Sequence, residues 1–117
     1  MSKTIKLPSA GCELEGFAVV DMSTAHISKR DSEILTEFTD ASPEKHPQVI
    51  LSMEYGYFVS TWHNFIDSPE GFEEMLLKLG HSEAYINIVR LAFRANAKWV
   101  NFDQDGPTYE FLPSFDW

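Results

Sequence analysis

Two periods of apolar residues alternate along this chain, and they predict different elements. Phe17-Ala18-Val19-Val20-Asp21-Met22 is a short apolar run of strand length, and Ser23 to Ile27 leaves it as a loop. From Ser28 the spacing changes to that of a helix. Ser28 stands as the cap, Asp31 at the third helical position makes an approximate capping box, and Ile34, Leu35 and Phe38 share one stripe. This helix ends near Thr39. Ala41 to Pro47 is a loop, because Pro43 and Pro47 each disfavour helix in the residue before them. Gln48–Met53 and Tyr57–Trp62 read as two strands around Glu54-Tyr55-Gly56, which implies an antiparallel hairpin with Gly56 at a positive φ.

Ser68-Pro69-Glu70 starts a second helix, with Ser at the cap, Pro at the first position and acids in the first turn. Phe72, Met75, Leu76 and Leu79 follow at helical spacing, and Gly80 stops it. A third helix runs from about Glu83 to Ala97, burying Tyr85, Ile88, Ala92 and Ala95. Lys98–Asp103 alternates cleanly as a last strand, Asp105-Gly106-Pro107 turns the chain, and the aromatic tail Leu112–Trp117 is expected to pack on the body. Residues 1–16, with Pro8, Gly11 and Gly16, read as an arm or short edge strand before a core over 17–117. The order β-α-β-β-α-α-β predicts a single α+β domain over residues 1–117: a mainly antiparallel sheet of about four strands with about three helices on one face. The first strand, first helix and next strand could form one parallel crossover.

Charge narrows the set of partners. With 18 acidic and 9 basic residues in 117, the formal charge is −9. The nine cations are dispersed along the chain, so no basic patch for nucleic-acid phosphates or an anionic membrane surface is expected. An acidic protein steers instead toward a basic protein surface, although acidity also serves solubility alone. The single cysteine, Cys12, has no partner for an internal disulfide and lies beside Glu13 rather than a cation, which fits a reducing cytoplasm and an unreactive thiol. Met1 to Pro8 lacks the apolar core of a signal peptide, and no apolar run is long enough to span a bilayer.

Candidate chemistry is sparse. His26, His46, His63 and His81 have none of the spacings that zinc sites favour, so no metal and no cofactor is expected. Asp103-Gln104-Asp105-Gly106 resembles the start of a calcium loop, but Thr108 and Ser114 occupy the positions that need Gly and Glu, and a strand-ending turn explains it better. Ser23-Thr24-Ala25-His26 places hydroxyls beside an imidazole just after a strand, where sites often form. No nucleophile elbow or phosphate loop accompanies it, and no catalytic residue is assigned. Asp67, Glu70, Glu73 and Glu74 form an acidic group on the second helix, which dipole compensation explains unless it meets a cationic partner. Tyr55 and Tyr57 crowd the hairpin as either core or interface rings.

Ser23–Ile27, Tyr55–Val59, Trp99–Pro107 and Leu112–Trp117 together resemble a family of small uncharacterised bacterial proteins encoded on plasmids and prophages near anti-restriction and toxin–antitoxin genes. The likeness spans most of residues 17–117. It implies a mobile-element accessory protein of the bacterial cytoplasm and carries over no reaction or site residue. Two expectations follow. The first is a small non-enzymatic protein acting by protein–protein association, with a basic or nucleic-acid-binding partner and Asp67, Glu70, Glu73, Glu74, Tyr55 and Tyr57 as contacts. An inhibitor of a host defence or nucleic-acid-handling complex is one form of it. The alternative is a small ligand-binding domain or enzyme with Ser23, Thr24, His26, Asp103 and Asp105 at its site.

Overall fold

The computed structural model describes residues 3–7, 12–16, 18–61 and 69–117. Phe17, Trp62, His63, Asp67 and Ser68, named above, lie outside them. β1 (Lys3–Leu7) and β2 (Cys12–Gly16) pair antiparallel as a separate two-stranded sheet, where the sequence suggested an arm or a single edge strand. β3 (Ala18–Ser23) is followed by a short 3-10 turn, Thr24–His26, and then α1 (Lys29–Glu37). The hairpin β4 (Ile50–Met53) and β5 (Gly56–Ser60) comes next, then α2 (Pro69–Leu79), α3 (Glu83–Arg94) and β6 (Ala97–Asp103).

The four-stranded sheet has the order β3-β6-β5-β4. β6 is antiparallel to β5, and β5 to β4, so the sheet is mainly antiparallel. β3 is the exception. It runs parallel to β6, with Val20 opposite Val100 and Met22 opposite Phe102, so the parallel partner of the first core strand is the last strand and not the one after α1. Such pairing demands a long crossover, which most of the chain supplies.

Alternation places Met22, Ile50, Val59, Val100 and Phe102 in the core, together with Leu35 of α1, Phe72 and Leu76 of α2, and Tyr85, Ile88, Val89 and Ala92 of α3. All three helices therefore bury their stripes in one core over one face of the sheet. On the other face Val19, Leu51 and Met53 are exposed, and the Phe58 and Trp99 rings pack with centroids 4.7 Å apart.

Helix ends follow the chemistry of their caps. Ser28 accepts from the Asp31 N–H while Asp31 accepts from the Ser28 N–H, which completes the capping box. Ser82 caps α3 by accepting from Tyr85 N–H, and Gly80, at φ 102°, ends α2. Two local expectations change. α3 stops at Arg94, because Asn96 adopts a φ of 65° and turns the chain straight into β6, so Ala95 is exposed at the helix end and Ala97 is buried in its place. Gly56 does not have a positive φ; it is required by close approach, since a Cβ there would lie 1.7 Å from the Phe102 carbonyl oxygen across the β5–β6 ladder.

Candidate functional site

Parallel neighbours deliver their carboxyl ends to the same edge of a sheet, and loops leaving those ends commonly frame a binding crevice. Here the edge carries an open cleft of about 560 Å³. Ser23, Thr24 and Ala25 line it from the end of β3, Gln104 from the end of β6, Ser52 to Tyr57 from the β4–β5 hairpin, Ser32 from α1, and Phe115 and Trp117 from the tail. Tyr55, Met53 and Trp117 remain 58%, 54% and 53% exposed, so large apolar side chains rim a floor of hydroxyls.

The floor is organised by hydrogen bonds. Thr36 Oγ1 donates to the Ser32 carbonyl at 2.9 Å, and the Tyr57 hydroxyl, 2.6 Å from Thr36 Oγ1, donates to the same carbonyl at 3.2 Å. Ser32 Oγ, 3.0 Å from the Tyr57 hydroxyl, then donates to it and keeps its own lone pairs free. Ser23 Oγ accepts from Ala25 N–H at 3.0 Å, and Gln104 N–H donates to the Tyr55 carbonyl at 2.8 Å, which ties the hairpin tip to the end of β6. Among the described residues no protein group bonds to the side chains of Thr24, Ser52 or Gln104.

The tail that forms one wall is held without regular secondary structure. Ser23 N–H donates to the Pro107 carbonyl at 2.8 Å, Phe115 N–H to the Ala25 carbonyl at 2.7 Å, and the Trp117 indole N–H to the Ile27 carbonyl at 2.9 Å. His26 is the buried centre of this strap. Its Nε2 accepts from Tyr109 N–H at 2.9 Å, so the ring proton is on Nδ1, which donates to the Pro113 carbonyl at 2.7 Å. Both ring nitrogens are thus engaged, and His26 fixes the wall from behind rather than lining the cleft.

A second polar group lies wholly inside. Asp31, His46 and His81 are buried, and they form a directed chain. Gln48 N–H donates to His46 Nδ1 at 3.1 Å, so His46 carries its proton on Nε2 and donates to His81 Nε2 at 3.0 Å. His81 in turn donates from Nδ1 to Asp31 Oδ1 at 2.9 Å. Asp31 also accepts from the backbone N–H and hydroxyl of both Ser28 and Ser82, the caps of α1 and α3. Burial raises the Asp31 pKa, but the hydrogen bonds from His81, Ser82 and Ser28 outweigh it and hold the carboxyl at about 2. Burial, reinforced by the neighbouring His81, pushes His46 down to about 3. His81 stacks on Tyr85 at 4.1 Å, and the Tyr85 hydroxyl, raised by burial and by the Asp31 charge, donates to Gln48 Oε1 at 2.5 Å. One carboxylate therefore docks two helix N-termini, a structural use that favours a unique packing.

The sequence candidates separate accordingly. Ser23, Thr24, Tyr55 and Tyr57, drawn from both expected sites, meet in the cleft. Asp103 accepts from Asp105 N–H at 2.8 Å in a tight turn; Gly106 presses this turn on β3, since a Cβ there would lie 2.6 Å from the Met22 carbonyl oxygen. Glu70 is exposed on α2. Glu73 is gripped by Arg90 at 2.9 and 2.6 Å, and this bidentate contact lowers its pKa. Glu74 lies 3.6 Å from Lys78, with both side chains exposed. Asp67 is outside the described residues. Among the described residues no three His, Cys, Asp or Glu side chains are grouped to hold a metal ion, and no helix is long and apolar enough to cross a membrane.

Sequence reasoning missed Ser32, Ser52 and Gln104 as lining residues, because their meeting depends on the β3–β6 pairing. It also missed the Asp31–His81–His46 chain, whose members are 15 or more residues apart and match no local motif. Neither a curated protein nor a solved structure matches the chain. A family model does, from residue 19 to residue 117, and that span includes α1 to α3, the four-stranded sheet almost entire and every residue of the cleft. The chain belongs to the family described as the DUF5983 C-terminal domain, a family of unknown function.

Proposed function

We propose that this is a non-enzymatic binding protein that engages another protein through the cleft at the carboxyl ends of β3 and β6. The observation that carries this reading is the rim. Tyr55, Met53 and Trp117 are held more than half exposed around a hydroxyl-rich floor. Tyr and Trp over Ser and Thr is the chemistry of protein-binding surfaces, in which rigid rings supply contact area and hydroxyls adapt their hydrogen bonds. The acidic group of α2 is a weaker candidate, because Arg90 and Lys78 partner two of its carboxylates. In the mobile-element setting that the family resemblance implies, the partner is a component of a host defence or nucleic-acid-handling complex, and binding inhibits it.

The test is capture from bacterial extract on immobilised protein, wild type against Tyr55→Ser. The Tyr55 ring is exposed, so the variant should keep the wild-type melting temperature. A stoichiometric protein held by the wild type and lost by the variant is the expected result. Equal retention by both, or no retention by either, would overturn the reading. An enzyme built on His26 with Asp103 or Asp105 gains no support, since both His26 nitrogens and an Asp103 oxygen serve the fold.

A further inference from the structure

Taking the cleft to be a binding site, as proposed above, we infer that it selects a cationic head group, the guanidinium or ammonium of an Arg or Lys side chain. Four properties of the lining lead there. Among the described residues that line the cleft, Glu54 is the one acidic residue and none is basic. An anionic group would therefore meet a carboxylate and find no charged donor. The Tyr55 and Trp117 rings stand exposed at the rim, where a cation can sit against their negative faces.

The floor points the same way. The Thr36 and Tyr57 hydroxyls both donate to the Ser32 carbonyl and the Ser32 hydroxyl donates to Tyr57, which leaves the lone pairs of Ser32 Oγ, a lining atom of the cleft, without a donor among the described residues. A guanidinium has five donors and no acceptor, so a lining that offers hydroxyl lone pairs and a carboxylate suits it. A purely apolar occupant would strip water from Thr24, Ser52 and Gln104 without replacing it. The formal charge of −9 adds a long-range attraction for cationic surfaces.

The test uses two small probes of nearly equal shape, N-acetyl-arginine methylamide and its neutral citrulline counterpart. They are titrated into the full chain and followed by ¹⁵N–¹H NMR at the Trp117 indole N–H and the Gln104 amide. The arginine probe should give saturable shifts at both sites with millimolar affinity, and the citrulline probe should give none. Glu54→Gln should weaken the arginine probe by about two- to five-fold, the range of one exposed ion pair. Equal shifts from both probes, no shift from arginine, or full arginine affinity in Glu54→Gln would each overturn the inference. Failure of the probes alongside capture that depends on Tyr55 removes the cation preference alone. Success of the probes without such capture removes the protein partner and retains the cation site.

Discussion

Acid will unfold this protein partly through a single buried ring, His46. In the native state His46 stays neutral until about pH 3, whereas in the unfolded chain the ring takes up a proton near 6.5. Above 6.5 the two states bind the same number of protons at this site, and stability is independent of it. As the pH falls below 6.5 the unfolded state gains a proton that the native state refuses, so native stability drops by about 1.4 kcal/mol for each pH unit. Between about pH 7 and about pH 4.5 the loss from this ring is roughly 2–3 kcal/mol, a large share of an ordinary domain's stability. Asp31 contributes little in that window, because its stabilisation is present above its unfolded value of 3.8 and is lost only as the pH falls toward about 2.

The variant that isolates the ring is His46→Gln, whose amide can still donate toward His81 but cannot titrate. Urea unfolding at both pH values gives four free energies, and groups that do not touch His46 cancel in the double difference, which therefore reads the His46–His81 pair. The variant is expected to start weaker at neutral pH by about 1–3 kcal/mol, through imperfect replacement of the buried hydrogen bonds. It should then lose about 2–3 kcal/mol less than the wild type on acidification. Equal losses in the two proteins would refute the argument, and would mean that the native ring accepts a proton as readily as the unfolded one.

Asp31→Asn keeps the shape but turns an amide donor toward groups that already donate, so urea unfolding at neutral pH should show a loss of about 3 kcal/mol. Gly56→Ala and Gly106→Ala set a Cβ against the Phe102 and Met22 carbonyls; the first should fail to yield folded protein by circular dichroism, and the second should lose about 2 kcal/mol or more. His26→Ala releases Tyr109 N–H and the Pro113 carbonyl together. Limited proteolysis should then cut within residues 107–117 of the variant, while the wild type stays protected there. Glu73→Gln, at a pair whose side chains are 27% and 35% exposed, should lower stability by no more than about 1 kcal/mol, and less in high salt.

Much of the fold was legible because its signals are local. The capping box at Ser28 and Asp31, the stripe of Phe72, Leu76 and Leu79, and the alternation of Trp99 to Phe102 each depend on residues a few positions apart. The stop at Gly80 and the turn at Asp103 to Gly106 are equally local. What escaped was pairing at a distance. That Ala97–Asp103 lies parallel to Ala18–Ser23 follows from how three helices share one core, and no window of sequence contains that competition.

The same division governs the site. Aromatic crowding in the hairpin and the tail, and hydroxyls after the first core strand, were visible in the chain. Which of them remain exposed was decided by packing. Tyr57 turned inward to Ser32 and Thr36, Phe58 packed on Trp99, and Tyr55 was left in solvent. Asp31 shows the limit most clearly: sequence determined that it caps its own helix, since Ser28 is three residues away. Only the tertiary structure brought Ser82 and His81 to the same carboxylate, with His46 behind His81, because the free energy of a buried charge is set by every donor that reaches it in space.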